Sequence, residues 1–241
     1  MIRMKRRSFL IALGAAGGAS ALPWLSPALA QGMIRPGRAD ALIVVDLQNC
    51  FVPGGSLAVT NGDQIIPLVN ALARRFENVI LTQDWHTPGH ISFASSHPGK
   101  KPFDVVELPY GAQVLWPDHC VQGTQGAELV KGLSVPHAQL VIRKGFSPNV
   151  DSYSAFIEAD KKTRTGLDGY LKTRGVKTVY VCGLATDFCV AWTALDARML
   201  GFDAAVIEDG CRGIDTQGSL AKAWAMMKTA GVRRIQSRDF A

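Results

Sequence analysis

Residues 83–93 read QDWHTPGHISF and place one carboxylate and two imidazoles within seven positions, Asp84, His86 and His90. Asp84 and His86 stand two residues apart, an oxygen and a nitrogen donor that suit zinc or another borderline divalent ion on an extended segment. Asp and His also meet in ordinary hydrogen-bonded loops. The pair alone therefore leaves metal ligation and loop structure both open. His97 and His137 read as exposed loop residues.

Three further residues carry reactive groups. Cys189 lies in GLATDFCVAWTALDARMLG, just inside the start of a predicted helix, with Thr186 or Asp187 as its expected N-cap. The partial positive charge of a helix start favours thiolate, and an adjacent lysine lowers a thiol pKa further. Both would activate a nucleophile. The plain alternative is a small buried hydrophobe, the usual state of a free cysteine. Lys144 in VIRKG reads equally as a surface charge, and Asp46 in VVDLQN as a strand-end cap. Together they are an acid, a base and a thiol, the groups that acyl transfer through a thioester needs.

Their placement depends on the elements that carry them. ALIVVD (41–46), NVILTQD (78–84), QLVIRKG (139–145), KTVYVCG (177–183) and DAAVIED (203–209) are Val/Ile-rich runs with polar ends, as buried parallel strands are, and VRRIQS (232–237) adds a sixth. Helices are predicted over 63–76, with Pro67 in the first turn, and over 166–174, 186–200 and 216–230. Strands alternating with helices imply right-handed crossovers, hence an α/β fold with a doubly wound, mostly parallel six-stranded sheet and helices on both faces. Asp46 ends the first strand, Asp84 the second and Lys144 the third, and Cys189 follows the fourth by one turn. Ligands of open α/β sheets sit outside the carboxyl ends of the strands, so these four residues should converge on one crevice. The segment 85–138 is rich in Pro, Gly and His and weakly periodic, and loops of that length are usually functional.

The first thirty residues read as an address label. Lys5-Arg6-Arg7-Ser8-Phe9-Leu10 offers twin arginines, an apolar Gly/Ala-rich run follows, and Ala28-Leu29-Ala30 supplies an A-x-A cleavage site. Paired glycines and Pro23 and Pro27 make the run short for a membrane anchor. The expectation is export by the twin-arginine route to the periplasm, with cleavage near Ala30, residues 31–241 as one mature domain and no stable membrane anchor. That route carries folded proteins, which suits a chain that acquires a metal before export. The label also distorts the charge. The full chain has 26 Lys and Arg against 20 Asp and Glu; removing Arg3, Lys5, Arg6 and Arg7 leaves 22 bases against 20 acids, a net charge of about +2. A nucleic-acid partner loses its main argument. Five cysteines, Cys50, Cys120, Cys182, Cys189 and Cys211, are an odd number without a C-x-x-C pair, so neither a disulfide framework nor a thioredoxin-like motif is expected.

DLQNCF, GGSLAV, TQDWH, WPDHCVQGTQGAEL, RKG, DSYSAF and GLATDFCV, in this order, resemble the nicotinamidase (pyrazinamidase-like) branch of the isochorismatase-like cysteine hydrolases, from about residue 41 to about 231. The resemblance implies hydrolysis of nicotinamide, or of a close analogue such as pyrazinamide, to the acid and ammonia. It implies Cys189 as nucleophile, Asp46 as general base, and Lys144 as the cation steadying both. It also implies a cis Leu184–Ala185 peptide that turns the Ala185 N–H, beside that of Cys189, toward the developing oxyanion. Asp84, His86 and His119 become ligands of one divalent metal, zinc first and iron or manganese as alternatives, that orients the pyridine ring. Ser92 is expected to touch a metal-bound water and His90 to serve as a hydrogen-bond partner behind the ligands or within its loop, with His90 or Ser92 as a direct ligand the alternative. Phe51 and Trp116 would sandwich the ring and Tyr153 close the pocket. Position 50 departs from the branch, which commonly has Asp there; the Cys50 side chain is expected to point away from Asp46 and to add oxidation sensitivity.

Two rivals remain at this level: a sister hydrolase of the same fold acting on a carbamoyl or ureido compound, and a periplasmic metal-binding protein without catalysis. A homo-oligomer is compatible with the sequence and not specified by it.

Overall fold

A computed structural model describes residues 33–241, and the expected export segment over residues 1–30 lies outside them. Eight strands follow in chain order: β1 (Asp40–Val45), β2 (Asn78–Asp84), β3 (Val105–Leu108), β4 (Gly111–Val114), β5 (Leu140–Lys144), β6 (Thr178–Leu184), β7 (Asp203–Arg212) and β8 (Arg233–Ile235). The α-helices are α1 (Ile66–Ala73), α2 (Leu167–Thr173), α3 (Ala191–Met199) and α4 (Ser219–Thr229). Six strands form one sheet in the order β5-β2-β1-β6-β7-β8, every neighbouring pair parallel.

The sequence explains which strands lie at the centre. DALIVV of β1 and NVILTQD of β2 are apolar on both faces and almost wholly buried. Each fully buried Ile, Leu or Val side chain there contributes about 1.5–3 kcal/mol. Edge strand β5 instead alternates: Val141 and Arg143 face outward, while Ile142 and Lys144 are buried on the opposite side. Period-two alternation thus turns a lysine, ordinarily a surface residue, into the interior.

From β1 the chain winds outward through β2 to β5, then returns to the other side of β1 and winds through β6, β7 and β8. Right-handed crossovers in opposite directions put their helices on opposite faces, and the reversal opens a crevice beside β1 and β6. Asp46 leaves β1 and Cys189 follows β6 at that point.

Two elements differ from expectation. The helix expected over 63–76 is a 3₁₀ turn, Gly62–Ile65, followed by the shorter α1, with Pro67 in its first turn as expected. The segment 85–138 contains the antiparallel hairpin β3–β4 and is pinned by single bridges, His86 to Val121 and Phe93 to Trp116. Among the described residues no helix is long and apolar enough to cross a membrane.

Candidate active site

Lys144 is the centre of the site. Its side chain is completely buried, and its Nζ pairs with Asp46 Oδ2 at 2.8 Å and donates to Asp84 Oδ1 and to Cys189 Sγ, the latter at 3.4 Å. One ammonium thus joins the ends of three strands and the turn after β6. Asp46 sits at φ 47°, a left-handed conformation uncommon outside glycine, and its backbone N–H and Oδ1 are both held by the Thr82 hydroxyl, at 3.1 and 2.5 Å. Convergence of Asp46, Asp84, Lys144 and Cys189 at the strand ends is as the sequence implies.

The electrostatics differ from the expected ones. Burial, Asp46 and Asp84 outweigh Lys144 and push the Cys189 thiol well above its ordinary value. Lys144 pulls the thiol toward its charged form, but burial first, and then the two carboxylates, act against that pull. Burial likewise raises Asp46, against the pull of Lys144. A carboxylate with a raised pKa beside a neutral thiol is placed to take the thiol's proton during reaction rather than before it. Burial works against the charged form of Lys144, but Asp46 and Asp84 hold it well above the usual range.

The turn carrying Cys189, Thr186–Val190, is a wide π-type turn running into α3, without a side-chain cap. The expected N-cap role of Thr186 or Asp187 is therefore not realised. Asp187 accepts from the N–H groups of Ile214 (3.0 Å) and Asp215 (2.8 Å) and from the Ser219 hydroxyl (2.5 Å), tying the turn to the chain after β7. The Leu184–Ala185 peptide is cis. Just before it Gly183 has φ 118°, and a Cβ there would lie 2.1 Å from the Val45 carbonyl oxygen, so this close approach of β6 to β1 requires glycine.

On the other side of Lys144, Asp84 Oδ2 lies 3.7 Å from both His86 Nε2 and His119 Nε2. The three atoms are too far apart for strong hydrogen bonds; a tetrahedral zinc with bonds of about 2.1 Å separates its ligand atoms by about 3.4 Å. His86 Nδ1 donates to the Gly145 carbonyl at 2.9 Å and His119 Nδ1 to that of Pro117 at 2.8 Å, which leaves both Nε2 lone pairs directed at the common point. That second hydrogen bond is how ligating histidines are held. The donor set thus fits a divalent metal. Gly145, at φ 66°, admits the His86 ring, which would lie 2.5 Å from any Cβ there.

His90 is engaged on both sides: its Nε2 donates to the Ser147 carbonyl at 2.8 Å, and its Nδ1 accepts from the Ser92 hydroxyl at 2.8 Å. Burial and neighbouring His86 keep its pKa below the ordinary imidazole value, in keeping with this neutral form.

Residues 40–239 match the Isochorismatase domain model. The chain belongs to the isochorismatase family. It is 62% identical over 199 residues to a nicotinamidase of Acinetobacter baylyi, covering 83% of this chain and 93% of that one. Among solved structures, the nicotinamidase/pyrazinamidase of Acinetobacter baumanii is 63% identical with a TM-score of 0.84, covering 84% of this chain and 98% of that one. A pyrazinamidase of Pyrococcus horikoshii in complex with zinc is 38% identical with a TM-score of 0.68, covering 82% and 99%.

In this isochorismatase-family chain a narrow cavity of about 20 Å³ opens between the Cys189 thiol and the His119 imidazole. Phe51, Trp116 and Tyr153 line it as expected, and Ala185 and Cys189 form its floor. The Phe51 ring packs against His119, centroids 5.5 Å apart, and the Tyr153 hydroxyl accepts from Trp116 Nε1 at 3.1 Å. Five wall residues escape the sequence reading: Leu57, Asp151, Ser152, Phe188 and Ile214. Phe188 stands edge-on to Trp116 with centroids 4.8 Å apart. Its position next to Cys189 was the available signal, since a wide turn can present both side chains to one cavity.

One disulfide forms although the sequence offers no disulfide framework. Cys50 and Cys120 are bonded across 70 residues, and Cys182, Cys189 and Cys211 remain free. No C-x-x-C spacing is needed when folding brings two distant loops together.

Proposed function

We propose that this chain is a metal-dependent amidase that hydrolyses nicotinamide to nicotinic acid and ammonia through a cysteinyl thioester. The observation that carries the reading is the buried Lys144, which connects the thiol and Asp46 on one side with the Asp84–His86–His119 set on the other. A thiol and metal donors facing one small aromatic-walled cavity fit a flat heteroaromatic amide. The nicotinamidase relatives and the zinc-containing pyrazinamidase support the substrate class and the metal.

Asp84, His86 and His119 would hold the ion, zinc first and iron or manganese as alternatives. When bound, the metal supplies a Lewis-acidic anchor for the pyridine nitrogen. Phe51 and Trp116 hold the ring between them and Tyr153 closes the side of the cavity. Asp46 takes the Cys189 proton as sulfur attacks the amide carbon, and the Lys144 ammonium balances the negative charge passing between them. The N–H groups of Ala185 and Cys189 receive the developing oxyanion. Asp46 returns the proton to the departing ammonia, then takes one from the water that cleaves the thioester. Ser92, its hydroxyl directed to His90, is assigned to a solvent position beside the metal, and His90 to orienting Ser92.

The test is ammonia release from nicotinamide by residues 31–241, with zinc content measured on the same sample. Chelation should lower release at least about tenfold and added zinc should restore it. A metal-loaded, reduced sample that releases ammonia from a ureido compound and none from nicotinamide would transfer the chain to the sister hydrolases.

We further propose that residues 1–30 direct twin-arginine export to the periplasm, supported by Lys5-Arg6-Arg7 and Ala28-Leu29-Ala30 and by a family match that begins only at residue 40. Cell fractionation should recover a protein beginning near Gln31 from the periplasm. Recovery of the full-length chain from the cytoplasm alone would overturn the export reading.

A further inference from the structure

The Cys50–Cys120 bond joins the two loops that meet across the cavity. Cys50 immediately precedes Phe51, and Cys120 immediately follows His119, whose rings pack together at 5.5 Å. Cys120 also reaches the second imidazole: its carbonyl accepts the His86 N–H at 3.1 Å, and the His86 carbonyl in turn accepts from Gln122 N–H at 2.9 Å. One sulfur is thus anchored beside a substrate wall and the other within a segment that positions two of the three metal donors. Cys120 sits at φ 45°, a left-handed conformation that a residue with a side chain keeps only under restraint. The Cα atoms are 5.7 Å apart, an ordinary span for a disulfide, and both residues are almost fully buried.

Hydrogen bonds already join the Cys50 loop to the stretch beyond the metal loop, from Cys50 N–H to the Gly126 carbonyl at 2.9 Å and from Asn49 N–H to that of Glu128 at 3.0 Å. They leave the interval from His119 to Gly123 attached to this loop through the disulfide and the Phe51–His119 ring contact. The bond is therefore placed to fix His119 rather than to hold the fold as a whole.

We propose that the Cys50–Cys120 disulfide is a redox-responsive brace of the metal and substrate site, oxidised in the tight-binding state and reduced in a looser one. This inference rests on the metal reading of Asp84, His86 and His119. Oxidation removes two protons and two electrons from the thiols, taken up by a partner disulfide that becomes two thiols. Reduction by a trialkylphosphine breaks the S–S bond, and water supplies the oxygen of the phosphine oxide and the protons of the two thiols.

The test compares zinc-loaded protein as oxidised, after phosphine reduction, and as the Cys50→Ser/Cys120→Ser variant. Denatured samples should titrate three thiols when oxidised, matching Cys182, Cys189 and Cys211, and five after reduction. Zinc transfer to a chromophoric chelator should be at least threefold faster from the reduced protein and from the variant, and KM for nicotinamide should rise more than kcat falls. A bond that merely stabilises the fold would lower the melting temperature and leave zinc release from folded protein unchanged. If the variant fails to fold, the reduced native chain carries the comparison. Five thiols under oxidising conditions, or release rates within threefold of one another, would overturn the brace alone. Protein that binds no zinc at all would overturn the metal reading and the brace together.

Discussion

Replacing Cys189 with alanine is expected to lower steady-state ammonia release from nicotinamide by at least about 10⁴-fold, the scale on which covalent catalysis collapses when its nucleophile is removed. Bound zinc should stay at its native level. The thiol lies 3.4 Å from Lys144 Nζ and is not one of the Asp84, His86 and His119 donors, although it lies within 4.8 Å of Asp84, so its loss removes the attacking atom without removing a ligand of that set. The geometry also predicts why no other group substitutes. Asp46 is buried, paired with Lys144 and held by Thr82, which suits proton transfer and keeps it from acting as the nucleophile itself. Metal analysis and an ammonia assay on the same preparation check both halves. Release above a hundredth of the native rate would remove the thiol from the mechanism.

Much of this site is legible before folding because a parallel sheet exposes the ends of its strands on one side. Asp46, Asp84 and Lys144 each close a Val/Ile-rich run, and Cys189 comes one turn after another. Periodicity brings them to one crevice without knowledge of the fold's details. The ligand set is less accessible, because His119 lies in a segment of weak periodicity and joins Asp84 and His86 only through the resemblance of several ordered motifs. The Cys50–Cys120 bond gives no local signal at all, being a contact between two loops 70 residues apart. The state of the Cys189 thiol is hidden for a different reason. Proximity of a lysine is readable from strand ends, but the sign of the shift depends on how many carboxylates share that lysine and how deeply all of them are buried. Asp187 shows the same dependence on tertiary context, since the turn starts one residue earlier than expected, with Ala185 at its N-cap, and the Asp187 carboxylate bonds across to Ile214, Asp215 and Ser219.

The sharing of one lysine by two acids leads to the second large effect. Lys144→Met preserves side-chain length while removing the ammonium shared by Asp46 and Asp84; in metal-free protein Asp84 keeps its contacts with His86 and His119. Breaking a buried ion pair from one side costs about 3–5 kcal/mol, because the charge left behind has lost water and partner alike. The variant should therefore show both a lower denaturant midpoint and almost no amidase activity. Its pH dependence distinguishes this cause from simple misfit of the methionine. In the native chain Lys144, followed by the two imidazoles, overcomes burial and holds Asp84 well below its ordinary 3.8, so Asp84 contributes stability above the unfolded value that is lost as pH falls through the folded one. Without Lys144, Asp46, which burial already raises in the native chain, loses the cation that opposes the rise, and Asp84 loses the largest of the groups holding it down while keeping its two imidazoles. The folded variant then binds more protons than the folded native chain, so its stability falls relative to the native chain as pH rises from about 4 toward neutrality. Denaturant unfolding of metal-free protein across that range measures the sign directly. A native chain and a variant whose stabilities run parallel with pH would mean that Asp46 and Asp84 are neutralised by something other than Lys144.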